Sequence, residues 1–211
     1  MRKEYLMTPG PTPVPPEVLL AQAKPMIHHR APIYTEIILV VLNDLKYVFQ
    51  TKNDVIMFAS SGTGGMESAV ANCFSAGDQV LVASAGNFGE RWVKISETYG
   101  LAVTKLDYEW GDKIKPQDVA DALAKNPDIK GVMVTHSETS TGVTNDIKTL
   151  GDIVAKTPAI FIVDAISGLG ASDLKTDDWH VDVCVAGSQK ALMTPPGLAF
   201  ASVSDKAWTA V

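Results

Sequence analysis

Val181-Asp182-Val183-Cys184-Val185-Ala186-Gly187-Ser188-Gln189-Lys190, followed by Ala191-Leu192-Met193-Thr194-Pro195-Pro196-Gly197, is the stretch on which the architecture turns. Its Val-rich half has the composition of a strand buried on both faces, Gly187 and Ser188 end that strand, and Pro195-Pro196-Gly197 turns the chain. Lys190 therefore stands just past the mouth of a buried strand. Desolvation there lowers a lysine's pKa and frees its amine to attack a carbonyl carbon. Taken alone, Lys190 reads more readily as a charge capping an exposed strand end, and the rest of the chain reverses that reading.

The rest of the chain repeats the same unit. Apolar runs at residues 55–59, 79–83, 102–106, 131–135, 159–163, 181–186 and 199–203 predict strands, and residues 65–74, 90–99, 116–125 and 147–156 predict the helices between them. Strands this continuous in Val, Ile and Met suit a mostly parallel sheet covered by helices on both faces, a doubly wound α/β architecture. In such sheets ligands sit at the carboxyl ends of the strands, so function is sought in the residues that follow each one.

Upstream, residues 7–16 (Met-Thr-Pro-Gly-Pro-Thr-Pro-Val-Pro-Pro) cannot be helical and predict an extended arm, either packed over something or a loose tail. Residues 17–23 predict a short helix, and His28-His29-Arg30 lie in a linker ended by Pro32. From 33 to 50, Ile37, Ile38, Val41, Leu42, Leu45, Val48 and Phe49 recur at three- and four-residue spacing, an amphipathic helix read as core. The domain expectation is an arm and linker over 1–32 and one α/β domain over 33–211.

Composition excludes several classes of function. A net charge of −6 with no block of like charge argues against a nucleic-acid surface and points to a small-molecule partner. No apolar run approaches the ~18 residues of a membrane helix, and the first residues hold no export signal. Cys73 and Cys184 both sit among apolar or small residues, so a reduced, cytoplasmic protein is expected. His136 has no partner at metal-ligand spacing, and His28 and His29 are expected to point apart, so no metal site is expected. A serine hydrolase lacks its G-x-S-x-G elbow.

The residues after the strands are informative together. After the first comes Ser60-Ser61-Gly62-Thr63-Gly64-Gly65-Met66-Glu67, where helix-start N–H groups and the Ser61 and Thr63 hydroxyls make a phosphate cup. No Gly-Lys-Ser/Thr follows, and Glu67 replaces the third glycine of a dinucleotide fingerprint, which leaves a smaller phosphorylated cofactor or a turn without a ligand. After the second, Phe88 in Gly86-Asn87-Phe88-Gly89 is either a stacker for a planar ring or a helix-start staple. After the fourth, Thr139 or Ser140 is either a partner for a phenolate-type oxygen or a turn former. After the fifth, Asp164 ends an apolar strand, where a carboxylate is costly to bury without a cation. A protonated pyridine nitrogen is such a cation. Amine, acid, hydroxyl, ring stacker and phosphate cup on one sheet edge match pyridoxal phosphate.

Ser-Gly-Thr-Gly-Gly-Met-Glu, Gly-Asn-Phe-Gly-Glu-Arg, Ser-Thr-Gly-Val, Val-Asp-Ala and Gly-Ser-Gln-Lys-Ala-Leu-Met-x-Pro-Pro-Gly, in this order, resemble the class V aminotransferases of fold type I. The alanine–glyoxylate and serine–glyoxylate (serine–pyruvate) aminotransferases look most similar. The resemblance implies Lys190 as the Schiff-base lysine, Asp164 as the pyridinium partner, Thr139 at the ring hydroxyl and Phe88 on the ring, where relatives usually carry tryptophan. It also implies Ser61, Gly62, Thr63 and Gln189 at the phosphate. The implied activity is ping-pong transamination from serine or alanine to a 2-oxo acid such as glyoxylate or pyruvate, in a homodimer. A desulfurase or lyase of the same fold and a cofactor-binding domain without turnover are the other expectations. Relatives continue past the length of this chain into a smaller domain that supplies the arginine for the substrate carboxylate, so a fragment is expected. None of Arg2, Arg30 and Arg91 is expected to take that role.

Overall fold

The structure, a computed structural model, describes residues 5–211. An N-terminal arm leads into α1 (Pro16–Gln22) and α2 (Pro32–Phe49), each opened by a proline in its first turn. The alternating part then runs β1 (Asp54–Ala59), α3 (Gly62–Cys73), β2 (Gln79–Ser84), α4 (Asn87–Thr98), β3 (Ala102–Asp107), α5 (Pro116–Lys125) and β4 (Gly131–Thr135). A small hairpin of β5 (Ser137–Glu138) and β6 (Val143–Thr144) follows, then α6 (Ile147–Val154), β7 (Ile160–Asp164), β8 (Val183–Gly187), β9 (Leu198–Val203) and α7 (Asp205–Trp208).

Seven strands form one sheet in the order β1-β9-β8-β7-β4-β2-β3. Neighbours are parallel from β8 to β3, while β9 runs antiparallel to both β8 and β1. Successive side chains of each central strand feed opposite faces. Val132, Val134, Phe161, Val163, Cys184 and Ala186 pack under α2, α5 and α6. Met133, Ile160, Ile162, Val183 and Val185 pack under α3 and α4. Both faces are therefore core, which is why these strands read as unbroken apolar runs.

The carboxyl ends of β1, β8, β7, β4 and β2 share one edge, and the start of β9 joins them because it runs the other way. Two glycines draw α3 toward that edge. A Cβ on Gly65 would lie 2.7 Å from Val185 Cγ1, and one on Gly62 would lie 2.4 Å from Ile166 Cδ1, so both contacts require glycine.

One expectation needs correction. Leu45 and Phe49 of α2 are buried, and Ile38 and Leu42 on the same face are half-buried. The other face is not core, because Ile33, Ile37, Val40 and Val41 are exposed. Helical spacing tells that a residue shares a face with its neighbours, not that the face is covered.

Candidate active site

Asp164 is the last residue of β7 and 2 % exposed. Its carboxylate accepts one hydrogen bond among the described residues, from Ile166 N to Oδ1 at 2.8 Å. Burial pushes its pKa up to about 7; the charge of Glu138 adds to this, while the Ile166 bond, Arg91 and Lys190 oppose it. A buried carboxylate with so little solvation suits a cationic N–H partner.

Lys190 lies on the turn beyond β8, half-buried, its pKa lowered by burial, with Asp164 opposing and Arg91 assisting. The turn that carries it is tied down. Ser188 Oγ donates to Pro195 O at 2.7 Å, Thr194 Oγ1 donates to Ser188 O at 2.8 Å, and Gly197 adopts φ 142°. The Pro-rich arm also packs here. Thr12 N donates to Gln189 O at 3.0 Å and Thr12 Oγ1 to Lys190 O at 2.8 Å. A Cβ on Gly10 would stand 2.7 Å from Lys190 Nζ. The arm is therefore a wall against the lysine rather than a loose tail.

At the start of α3, Ser61 is the N-cap but its side chain makes no cap bond, so the first N–H groups of the helix stay available to an acceptor. Thr63 stands in this first turn, and the loop touches Ile166, two residues past Asp164, through Gly62. Among the described residues Gln189 Oε1 is buried without a hydrogen-bond partner, an amide group open to a ligand. Thr139 Oγ1 lies 2.6 Å from Ser167 Oγ.

Phe88 opens α4, and the device that fixes it is Glu138. This carboxylate is 1 % exposed and accepts from Phe88 N and Gly89 N, both at 3.1 Å, and from Ser140 N and Oγ at 3.2 and 2.6 Å. Asn87 N donates to Ser140 Oγ at 3.0 Å. An anion at a helix start is favoured by the free N–H groups and the dipole.

The candidate cofactor residues Lys190, Asp164, Ser61, Gly62, Thr63, Phe88, Thr139 and Gln189 thus lie at or just beyond the carboxyl ends of β1, β2, β4, β7 and β8. Sequence reasoning missed Glu138, Ser167 and Arg91. The contacts of Glu138 with α4 bridge about fifty positions, and no local pattern signals them. Arg91, considered in the sequence only as a holder of the substrate carboxylate and not expected to be one, lies with its guanidinium over the Phe88 ring, 4.6 Å from the centroid, and donates to Thr63 Oγ1 at 2.9 Å. The imidazoles of His28 and His29 do not point apart but stack at 4.9 Å. Among the described residues no group of three or more His, Cys, Asp or Glu side chains could hold a metal ion. No described helix is long and apolar enough to cross a membrane. A cavity of about 940 Å³ lies at the opposite end of the strands beside Asp78, Lys130 and Lys206.

A doubly wound sheet with a lysine, a buried aspartate and an open helix start at one edge defines the cofactor domain of a pyridoxal-phosphate enzyme. The family model described as Aminotransferase class-V matches residues 4–211, and the chain belongs to that family, whose members depend on pyridoxal phosphate. The serine–glyoxylate aminotransferase of Hyphomicrobium methylovorum is 43% identical over 96% of this chain and 51% of its own length. A protein of a Synechococcus species named soluble hydrogenase, small subunit, is 46% identical over 99% of this chain and 55% of its own. The solved aspartate aminotransferase of Thermus thermophilus superimposes with a TM-score of 0.92 at 37% identity, covering 98% of this chain and 59% of that one. The chain spans about half the length of the curated relatives it matches.

Proposed function

We propose that this chain is the cofactor-binding part of a transaminase that moves the amino group of serine or alanine to a small 2-oxo acid such as glyoxylate or pyruvate. The observation that carries the reading is the pairing at one sheet edge of Lys190, a depressed amine, with Asp164, a buried carboxylate with a single hydrogen bond. The name of the Hyphomicrobium relative supports glyoxylate as acceptor. Pyridoxal phosphate, when bound, supplies the aldehyde carbon that takes up the amino group and a pyridinium ring that holds the electron pair freed at the substrate α-carbon.

The chain's own residues have distinct tasks in this reading. Asp164 keeps the ring nitrogen protonated, because a cationic N–H relieves the cost of its own burial. Lys190 anchors the cofactor, and as a free amine its Nζ takes the proton from the substrate α-carbon and returns it on the cofactor side. Burial lowers its pKa, which favours the free amine the task needs. Phe88 offers a flat face to the ring and Thr139 a hydroxyl to the ring oxygen. Ser61, Gly62, Thr63 and Gln189 receive the phosphate. The arm packs against the Lys190 side chain at Gly10. Residues 33–211 act as the cofactor domain and 1–32 as its arm and linker. The working unit is a homodimer, with the outer apolar face of α2 as its contact surface. A desulfurase needs a reactive thiol, whereas burial pushes Cys73 up to about 11 and Cys184 up to about 12.

The test is the visible absorption spectrum with pyridoxal phosphate, before and after serine or alanine, beside Lys190→Ala. A band that needs Lys190, is bleached by the amino acid and returns with glyoxylate is expected. A band indifferent to amino acids would leave a cofactor binder without turnover, and a folded protein with no band would overturn the reading.

A further inference from the structure

Arg91 has no task in the proposed function, yet it joins two parts of the site. It lies three residues after Phe88 on α4, so the two side chains share a helix face, and the ring seats the guanidinium through a cation–π contact at 4.6 Å. From that seat Nη1 reaches across to Thr63 Oγ1 at 2.9 Å on the first turn of α3. The direction of this bond matters. A guanidinium can only donate, whereas a hydroxyl has two lone pairs and one proton. Arg91 therefore occupies a lone pair of Thr63 and leaves the hydroxyl proton to be given elsewhere. Among the described residues Thr63 donates to no group.

We infer that Arg91 is a positioning residue that turns the Thr63 hydroxyl into a committed donor for the phosphate group of the cofactor. The inference rests on the proposed cofactor site and goes beyond it, since a hydroxyl whose lone pair is already held by Arg91 need not be reoriented before it gives its proton to an incoming anion. The open N–H groups at the start of α3 point to the same kind of acceptor. The guanidinium also brings a positive charge within reach of Asp164 and Lys190, lowering the pKa of both. A lysine at position 91 would keep the charge but lose the planar fork that lies on the ring and reaches Thr63 at once.

Comparing pyridoxal 5′-phosphate with pyridoxal, which lacks the phosphate, isolates this role. Dissociation constants for both are read from the Lys190-dependent absorption band in the wild-type chain, Arg91→Met, Arg91→Lys, Thr63→Val, Thr63→Ser and the Arg91→Met/Thr63→Val double variant. Loss of one charge-assisted hydrogen bond predicts pyridoxal phosphate binding about tenfold weaker in Arg91→Met, with pyridoxal binding unchanged. Arg91→Lys should resemble Arg91→Met, Thr63→Ser should resemble wild type, and the double variant should bind no more weakly than Thr63→Val alone. Equal losses for both ligands, with a lowered melting temperature, would make Arg91 a packing residue and overturn the inference. Additive losses in the double variant would overturn it too, because Arg91 would then act on the anion directly. A wild-type chain that is folded and gives no band defeats the cofactor reading itself, and that control separates the two failures.

Discussion

The centre of the sheet and the helix α2 are built from the same residue types and lie in opposite surroundings. Phe161, Ile162, Val183 and Val185 touch no solvent or nearly none, because helices cover both faces of β7 and β8. On α2, Leu39 is 61%, Val40 60% and Ile37 46% exposed, although the helix carries as long an apolar pattern as any in the chain. Apolar surface gains about 25 cal/mol per Å² only when it leaves water, so the two regions contribute very differently to this fold. The sheet centre is closed by its own chain, whereas the outer face of α2 is closed by something else or left wet.

Mutations can break that contrast in turn. The largest effect is expected for Phe161→Ala, about 3–5 kcal/mol in urea unfolding, because a fully buried aromatic leaves a cavity. Leu39→Ala is the counterpart and should fall within about 0.5 kcal/mol. Equal losses would show that α2 is covered after all.

Asp164→Asn should come next, and its sign is unusual for a site residue. Between the ordinary 3.8 and about 7, folded Asp164 keeps a proton that the unfolded chain releases, so stability falls as pH rises through that window. The asparagine variant should therefore be more stable than wild type at pH 8 without cofactor, by on the order of a few kcal/mol, and little changed at pH 4. His136 works in the opposite sense. Burial lowers its pKa from 6.5 to about 4, so the unfolded chain takes up a proton that the folded chain refuses, and stability is lost as pH falls through that range. The two slopes oppose each other in wild type, and Asp164→Asn should expose the His136 slope in thermal melts from pH 7 to pH 4.

Smaller losses are expected further out. Glu138→Gln removes the charge that receives the α4 N–H groups and should cost about 1–3 kcal/mol, with weaker cofactor binding as Phe88 loosens. Ile37→Ser should barely alter unfolding of the single chain and should shift a dimer toward monomer in sedimentation. A dimer unmoved by Ile37→Ser would place its contact elsewhere.

The contrast also marks how far the sequence could be read. All seven strands of the main sheet were legible as apolar runs, unbroken at the centre because burial on both faces demands Val, Ile and Phe, and the site could be sought because strand ends face ligands. The start of α3 was placed three residues late, at Gly65, because Gly62-Thr63-Gly64 are poor helix formers whose presence answers to contacts with Ile166 and Ser60. The β5–β6 pair is too short to carry a period. The reversed direction of β9 left a trace that went unread, since the connection over residues 188–197 is too short for a parallel crossover and fits an antiparallel neighbour. Glu138 and Arg91 left none, because their partners are distant in the chain and chosen by the fold.

The position of β9 also orders the birth of the site. Among the described residues β1 is an edge strand whose only strand partner is β9, with Asp54 paired to Val203 across most of the chain. The strand that leads to Ser61 and Thr63 is thus the first of the seven to be synthesised and among the last to find its place. Until residues 198–203 are made, a growing chain has Lys190 and Asp164 on neighbouring strands and can seat α3 on β8 through Gly65, but it leaves β1 unpaired. A nascent chain arrested short of β9 should hold the phosphate loop less firmly, and its preference for pyridoxal phosphate over pyridoxal should rise once β9 is in place.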